Sequence, residues 1–576
     1  MGTGRTRTRP RHRGTTASGV ALALLLAATL VPGGTAGAAP AGRFRAGAHR
    51  TPTLAASTVP DFNHDGYPDL AVTSLYEDVA GVTDAGAVNV LYGSAAGVQA
   101  DSPANQLWAG GEAGVAVPAE AGSQFGWCTA FGDFNGDGYS DLAVCDPYLD
   151  VDGVTDAGGM EVLYGSASGL QATGTGGPDD QLWTQNSPGV EDQADPGEAF
   201  ARSAAGGDFN GDGFGDLAID VRGENVGSAV EAGAVAVLYG SPTGLQATGT
   251  GGPDDQFWTQ DSPSVQDQAE SQDWFGRNLA TGDFNADGYA DLAAGDFLED
   301  LGTIVDAGGV EVLYGSVYGL QATGTGGPDD EFWTQDSPGV RNRSEAGDYF
   351  GHTVATGDFN HDGWDDLAIS SRLEDVGSAI DAGGAEVMYG GSSGLQAFRP
   401  DDQWWTQNST SVRDQSRSGD QFGFSLTVGD FNGDSFDDLA VGVPFKSIQP
   451  GHKEAGEVAV LYGSAGGLQS TGLSAPDDQV WNQDSPDVQD QAGTGDHFGI
   501  QVAAGDFNAD GATDLAIGVG HETVGSVLAA GSAAVLYGVV GTGLQAVGPD
   551  DQLWSQDSPD VLDSAETNDQ FGWWVL

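Results

Sequence analysis

Seven times along the chain a segment of the form D-F-N-x-D-G-x-x-D-L-A returns, beginning at Asp61, Asp133, Asp208, Asp283, Asp358, Asp430 and Asp506. In every copy the first, third, fifth and ninth positions carry side-chain oxygens. They are Asp61, Asn63, Asp65 and Asp69; Asp133, Asn135, Asp137 and Asp141; Asp208, Asn210, Asp212 and Asp216; and Asp283, Asn285, Asp287 and Asp291. The last three copies give Asp358, Asn360, Asp362 and Asp366; Asp430, Asn432, Asp434 and Asp438; and Asp506, Asn508, Asp510 and Asp514. The seventh position would add a backbone carbonyl, from Tyr67, Tyr139, Phe214, Tyr289, Trp364, Phe436 or Ala512. Calcium takes six to eight oxygens in a flexible cage, and alternate positions of a tight loop turn toward one centre. Magnesium fits less well, because it demands octahedral geometry and keeps its waters. The sixth position is Gly in six copies, where a sharp turn needs positive φ, and Ser435 in the other. An EF-hand is excluded, since no Glu stands at position twelve and Leu-Ala at ten and eleven opens a strand. Asp, Asn and Gly also make ordinary turns. Seven copies with three carboxylates each favour a metal, because unpaired the carboxylates repel one another. The sequence therefore predicts up to seven Ca2+ sites.

The loops return at intervals of 72 to 76 residues, which makes the repeat the unit of architecture. Phe-Gly precedes most loops, and A-G-x-x-x-V-L-Y-G follows about twenty-five residues later. A Gly-rich stretch then ends in Pro-Asp-Asp-Gln and a Trp, as in GPDDQLW at 177–183. Each unit reads as four short strands: the Phe-Gly segment, Leu-Ala-Val/Ile, an alternating strand with Val235, Val237 and Tyr239 on one face, and Gln-x-Trp-Thr-Gln. Such a sheet has two faces to cover, and ring stacking of four to eight units covers them. The predicted fold is all-β, a seven-bladed β-propeller of four-stranded antiparallel blades, with an open solenoid as the alternative. The first loop lacks a preceding Phe-Gly, and Phe571-Gly572-Trp573-Trp574-Val575-Leu576 is a first strand without a loop. The C-terminal strand is thus expected to complete the first blade, unless Leu54–Val59 do so.

Residues 1–38 have the pattern of a secretory signal: Arg5 to Arg13 at alternate positions, the apolar run Gly19–Val31, and a small-x-small site at Ala36-Gly37-Ala38. A flexible linker at 39–53 and a propeller at 54–576 follow. Eight of the 19 basic residues lie in positions 1–50, which hold no Asp or Glu. The remainder carries 11 basic against 84 acidic residues, a net charge of −73. That charge repels nucleic acid and anionic membranes. With 39% hydrophobic residues and 13 Trp the chain reads as packed rather than disordered.

The motifs Phe-Gly and D-x-N-x-D-G-x-x-D-L resemble the FG-GAP repeats, best known from the N-terminal propeller of integrin α subunits, over about residues 54–576. The resemblance implies Ca2+ bound by loop positions one, three, five, seven and nine, between the first two strands of a blade. Three features depart from the family: Ser435, Ala201 in place of the Gly of Phe-Gly, and a degraded Gly-Ala-Pro element, closest in GVP at 442–444. Without the leg domains and anchor of an integrin, the chain looks like a secreted relative of bacterial type.

Cys128 and Cys145, the only cysteines, lie five residues before and twelve after Asp133. In a hairpin folded about the second loop they face each other, which predicts a disulfide over two free thiols. Gly390-Gly391-Ser392-Ser393-Gly394 matches an esterase elbow, but it occupies a turn that other units repeat. The histidines show no zinc spacing, and His64 and His361, at the variable fourth loop position, are expected in solvent. Trp108, Trp183, Trp258, Trp333, Trp405, Trp481 and Trp554 share one register, which favours blade packing over sugar stacking. The Pro-Asp-Asp-Gln carboxylates are expected to be solvated. The function expected is a secreted, calcium-binding, non-catalytic recognition or adhesion module, monomeric, that meets an extracellular protein or glycan. The alternatives are an extracellular hydrolase of esterase or phospholipase type and a passive structural or wall-associated protein.

Overall fold

The computed structural model describes residues 59–576 apart from 175–176, 250–252, 325–326, 399, 449–450, 473–475 and 549. The expected leader 1–38, the linker 39–53 and Leu54–Thr58 lie outside the described residues. The rest forms seven four-stranded antiparallel sheets and, among the described residues, no helix. Six blades take their strands in chain order. The third, for instance, runs Phe200–Gly207, Asp216–Val221, Ala234–Leu238, Gln256–Trp258.

The first blade is built differently. Its Leu70–Ser74, Ala87–Leu91 and Gln106–Trp108 strands are joined by Phe571–Val575 in first place, with Val72 opposite Val575 and Ser74 opposite Phe571. Backbone bonds in both directions between Ala71 and Leu576, each 3.0 Å, complete the seam. The C-terminal strand therefore holds the closing position.

Central strands are buried on both faces because each blade is sandwiched between two others. In the third blade Ala234, Ala236 and Leu238 pack toward the second, while Val235, Val237 and Tyr239 pack toward the fourth. Seven apolar clusters fill the seven junctions. The last joins Val535 and Tyr537 to Leu70 and Leu91, so the stack closes into a ring rather than an open solenoid.

Each junction also carries a polar latch. In six blades the fully buried Tyr of Tyr-Gly donates to the Gln of its own fourth strand, as Tyr389 does to Gln403 at 2.6 Å, and in the fourth blade Glu331 stands in place of that Gln beside Tyr314. Its hydroxyl packs on a Gly of the next blade. A Cβ at Gly97 would lie 1.9 Å from Tyr537 Oη, and Val98 N–H donates to that oxygen at 3.0 Å. The seven register-sharing Trp end the fourth strands and sit in or against these junction clusters, which is the packing role.

Cys128 and Cys145 are joined in a disulfide, with Cα atoms 5.1 Å apart and both side chains buried. Cys145 N–H donates to Cys128 C=O at 3.0 Å, one step beyond the Thr129–Val144 pair.

Candidate functional site

Each acidic loop turns the chain from the first strand of a blade into the second, so all seven lie at one end of the blades. The first Asp organises the turn: Asp133 accepts from the N–H of Asp137 at 3.0 Å and of Gly138 at 2.9 Å. Position five caps position seven, as Tyr139 N–H to Asp137 Oδ1 at 3.1 Å. The ninth Asp is wholly buried and opens the second strand. Asp141 accepts from Phe134 N–H and, 24 residues on, from Gly165 N–H, each at 2.8 Å. The pattern recurs in the other loops, with Asp208, Asp283, Asp358, Asp430 and Asp506 each accepting from the fifth and sixth positions.

The sixth position needs positive φ throughout. The six glycines lie between 89° and 92°, and Ser435 adopts 73° with its N–H still on Asp430. Ala201 is likewise held at 69°, where other units place the Gly of Phe-Gly.

Neighbouring loops are bonded to one another. In six of the seven loops the eighth-position N–H donates to the first-position carbonyl of the loop before it, as Ser140 to Asp61 at 3.1 Å and Thr513 to Asp430 at 2.8 Å; in the first loop that position is Pro68. His64 and His361 are exposed, as the sequence suggested. Their rings stand edge-on to Tyr139 and Phe436 of the following loop, with centroids 5.7 and 5.6 Å apart.

Burial pushes the ninth carboxyls up, Asp69 to about 8 and Asp366 to about 9, and repulsion from the other loop carboxylates adds to it. A cation at the loop centre offsets both effects. The donor set fits an oxygen-seeking ion. The buried Asn360, Asn432 and Asn508 keep a side-chain carbonyl with no donor, where Asn63, Asn135 and Asn210 accept the fifth-position N–H. The loop carboxylates of the first, fifth and ninth positions do not all come within 4.8 Å of one another, unlike two carboxylate trios elsewhere. At Ca–O distances of about 2.5 Å, ligands across the ion lie about 5 Å apart, so this spacing is compatible with calcium.

A second feature lies at the other end of the first strands, where Phe-Gly opens them. First strands of adjacent blades pack on one another and line the ring axis. The residue after Phe-Gly and side chains near it form a half-buried collar. The Arg202 guanidinium lies 4.2 Å from the Trp127 ring centre and Arg222 4.0 Å from that of Trp274. Ring contacts then run from His352 through Phe424, Phe445, His497 and His521 to Trp573. Sequence reasoning missed this collar, because the residue after Phe-Gly changes from copy to copy.

The Pro-Asp-Asp turns also depart from expectation. The second Asp is an inter-blade tie rather than a solvated charge: Asp255 accepts Glu191 N–H at 2.7 Å and Asp402 accepts Arg341 N–H at 2.8 Å.

Fold and loops together define a seven-bladed propeller with one acidic turn per blade. The FG-GAP repeat family model matches at residues 54–91, 200–238, 275–308, 350–385, 422–461 and 498–536, six of the seven units. The chain is an FG-GAP repeat protein whose propeller is of the integrin α type. It is 29% identical over 294 residues to integrin alpha-PS2 of Drosophila melanogaster, covering 48% of this chain and 18% of that one. It is 36% identical over 131 residues to integrin alpha-3 of Mus musculus, covering 22% and 10%. Phosphatidylinositol-glycan-specific phospholipase D of Bos taurus is 28% identical over 184 residues, covering 32% and 20%. The chain thus spans a fifth or less of the length of these relatives. Among solved structures, an exotype rhamnogalacturonan lyase covers 77% of this chain and 68% of its own at 12% identity and a TM-score of 0.36, a likeness too weak to carry an argument.

Proposed function

We propose that this chain is a secreted, calcium-stabilised propeller that works as a non-catalytic recognition module for an extracellular protein or glycan. The collar carries this reading. Half-buried rings and guanidiniums grouped on one face are the residue types that anchor ligands, through stacking, cation–π contact and bidentate hydrogen bonds. They stand on a rigid set of strands, and four of the 11 basic residues beyond position 50, Arg202, Arg222, Arg277 and Arg372, belong to them or adjoin them.

Calcium in this reading is structural. The loop residues of positions one, three, five, seven and nine would hold it, at the end of the blades away from the collar. The disulfide supports an oxidising compartment. Among the described residues no helix is long and apolar enough to cross a membrane.

A hydrolase finds less support. Ser392 and Ser393, from the elbow-like turn, line a groove of about 570 Å³ beside Asp287 and Glu331, but no histidine bonds either serine among the described residues. The test is a glycan-array and extracellular-protein screen with and without calcium. Retention in calcium that EDTA releases and Arg222→Ala with Trp274→Ala abolishes is expected. Turnover of an ester or phosphodiester by the purified chain would overturn the proposal.

A further inference from the structure

A second acidic system occupies the collar end of the blade junctions. Where the third blade meets the fourth, Gln260 Nε2 donates to Asp267 at 3.3 Å, Asp296 at 3.2 Å and Glu299 at 3.0 Å. One amide nitrogen, with two protons, thus serves three carboxylates whose oxygens lie within 4.8 Å of one another. Asp296 is fully buried, and its Oδ1 has no partner. Gln260 Oε1, also buried, has none either. The previous junction repeats the arrangement with Gln185, Asp192, Glu198 and Glu224.

The ring contains its own comparison. Counting from the Gln, positions +7, +13 and +39 are Asp267, Asp273 and Glu299 at the third-to-fourth junction, with Asp296 at +36, and Asp192, Glu198 and Glu224 at the previous one; at the fifth-to-sixth junction they are Asp414, Asp420 and Lys446. Here Lys stands where the fourth blade has Glu299. Its buried Nζ sits among Asp414, Asp420 at 2.9 Å and Glu457 at 3.7 Å, while Gln407 donates to Asp414 and Glu457. Glu457 replaces the carboxylate of Asp296 from the facing strand, for Asp296 pairs with Gly309 and Val443 with Glu457. The acid is kept and a cation is placed among the acids.

The first-to-second junction takes the other course. The same spacing reads Gly110, Val117, Ser123 and Leu149, with Val117 and Leu149 in the apolar core and Asp146 alone remaining, bonded to Ser123. Buried carboxylates without a counter-charge are costly, and the chain removes most of them in one junction and neutralises them in another.

We infer that the pockets at Gln260–Asp267–Asp296–Glu299 and Gln185–Asp192–Glu198–Glu224 each bind a Ca2+ ion in the place that Lys446 Nζ takes at the fifth-to-sixth junction. All donors are oxygens, the preference of a hard divalent cation, and the mixed carboxylate and amide set suits a flexible calcium shell. Glu in place of Lys lowers the local charge by two, which one divalent ion offsets.

The test is Ca2+ bound per full-length chain, by equilibrium dialysis with radiocalcium. Glu299→Lys should bind one ion fewer than the parent, and Lys446→Glu one more. Counts unchanged in both variants overturn the inference. Should Glu299→Lys not fold, Glu299→Gln decides: it should weaken one site by about tenfold, and unaltered binding overturns the pocket. None of these variants touches an acidic loop. Asp137→Ala, which does, reports on the loop ions separately, so the two readings fail independently.

Discussion

All seven acidic loops keep Asp at positions one, five and nine, whereas the junction groups at the opposite end of the blades range from four acids to an ammonium to nearly apolar. The loop carboxylates hold the backbone itself. Asp141 by itself accepts two buried N–H groups, one seven residues before it and one 24 residues after it, and losing such an acceptor strands each of them at a cost of about 1–3 kcal/mol. The junction acid at +13 also takes a backbone N–H, as Glu198 does from Asp195, but Asp267, Asp296 and Glu299 face the side chain of Gln260, so acids of this kind can be exchanged without disturbing the turn. An acid tied to main chain persists through duplication, and one tied to side chains drifts.

Chelation should produce the largest effect and act on the loops first. With extracellular-class sites of Kd about 0.1 mM in ~1 mM calcium, linkage gives about 1.4 kcal/mol per site and about 10 kcal/mol for seven. A melting scan in EDTA should then fall by roughly 10 °C for a domain of this size. Superimposed scans with and without EDTA would remove calcium from the loops.

Next comes the seam. Deleting Phe571–Leu576 strips the first strand from blade one and bares two sheet edges, while every acidic loop stays intact. Aggregation on size-exclusion chromatography is expected. A soluble monomer with parental melting would mean that another segment can take the seam.

The disulfide ranks third. It closes a span of 17 residues around the second loop, in the blade that meets the first across the junction lacking the acidic group, and should contribute ~3 kcal/mol at most. Cys128→Ser with Cys145→Ser should lower the melting temperature without changing the calcium count, and a lost ion would tie the bond to the site.

The smallest effect belongs to Ser435. Holding a non-Gly residue at φ 73° costs about 1 kcal/mol, so Ser435→Gly should tighten the sixth loop by less than tenfold in a calcium titration. Weaker binding would mean that the hydroxyl serves the site.

Much of this was legible in the sequence because it is written seven times. The blade count, the order of strands, the seam and the facing of Cys128 with Cys145 all follow from lining up the copies. The acidic junctions escaped notice for a physical reason: the partners of Gln260 span 39 residues and come from two blades, so no single repeat contains the group. Divergence hid them further, since Lys446 and Leu149 break the pattern at the positions that would reveal it. The collar is carried by side chains that share a place in the ring but not a residue type. The ring contact of the exposed His64 was equally hidden, because its partner, Tyr139, belongs to the next loop.

The seam has a consequence for the order of events in biosynthesis. The strand Leu70–Ser74 cannot meet its neighbour until the ribosome has added about 500 further residues, because Trp574 bonds Thr73 across a separation of 501 positions. At synthesis rates of about 5–20 residues per second, that edge waits for roughly 25–100 s. During the wait the growing stack is an open arc with a sticky strand at its leading end, able to pair with a second nascent copy. A chain built this way gains from folding far from its neighbours, and crowding on a polysome should raise its yield of strand-exchanged dimers.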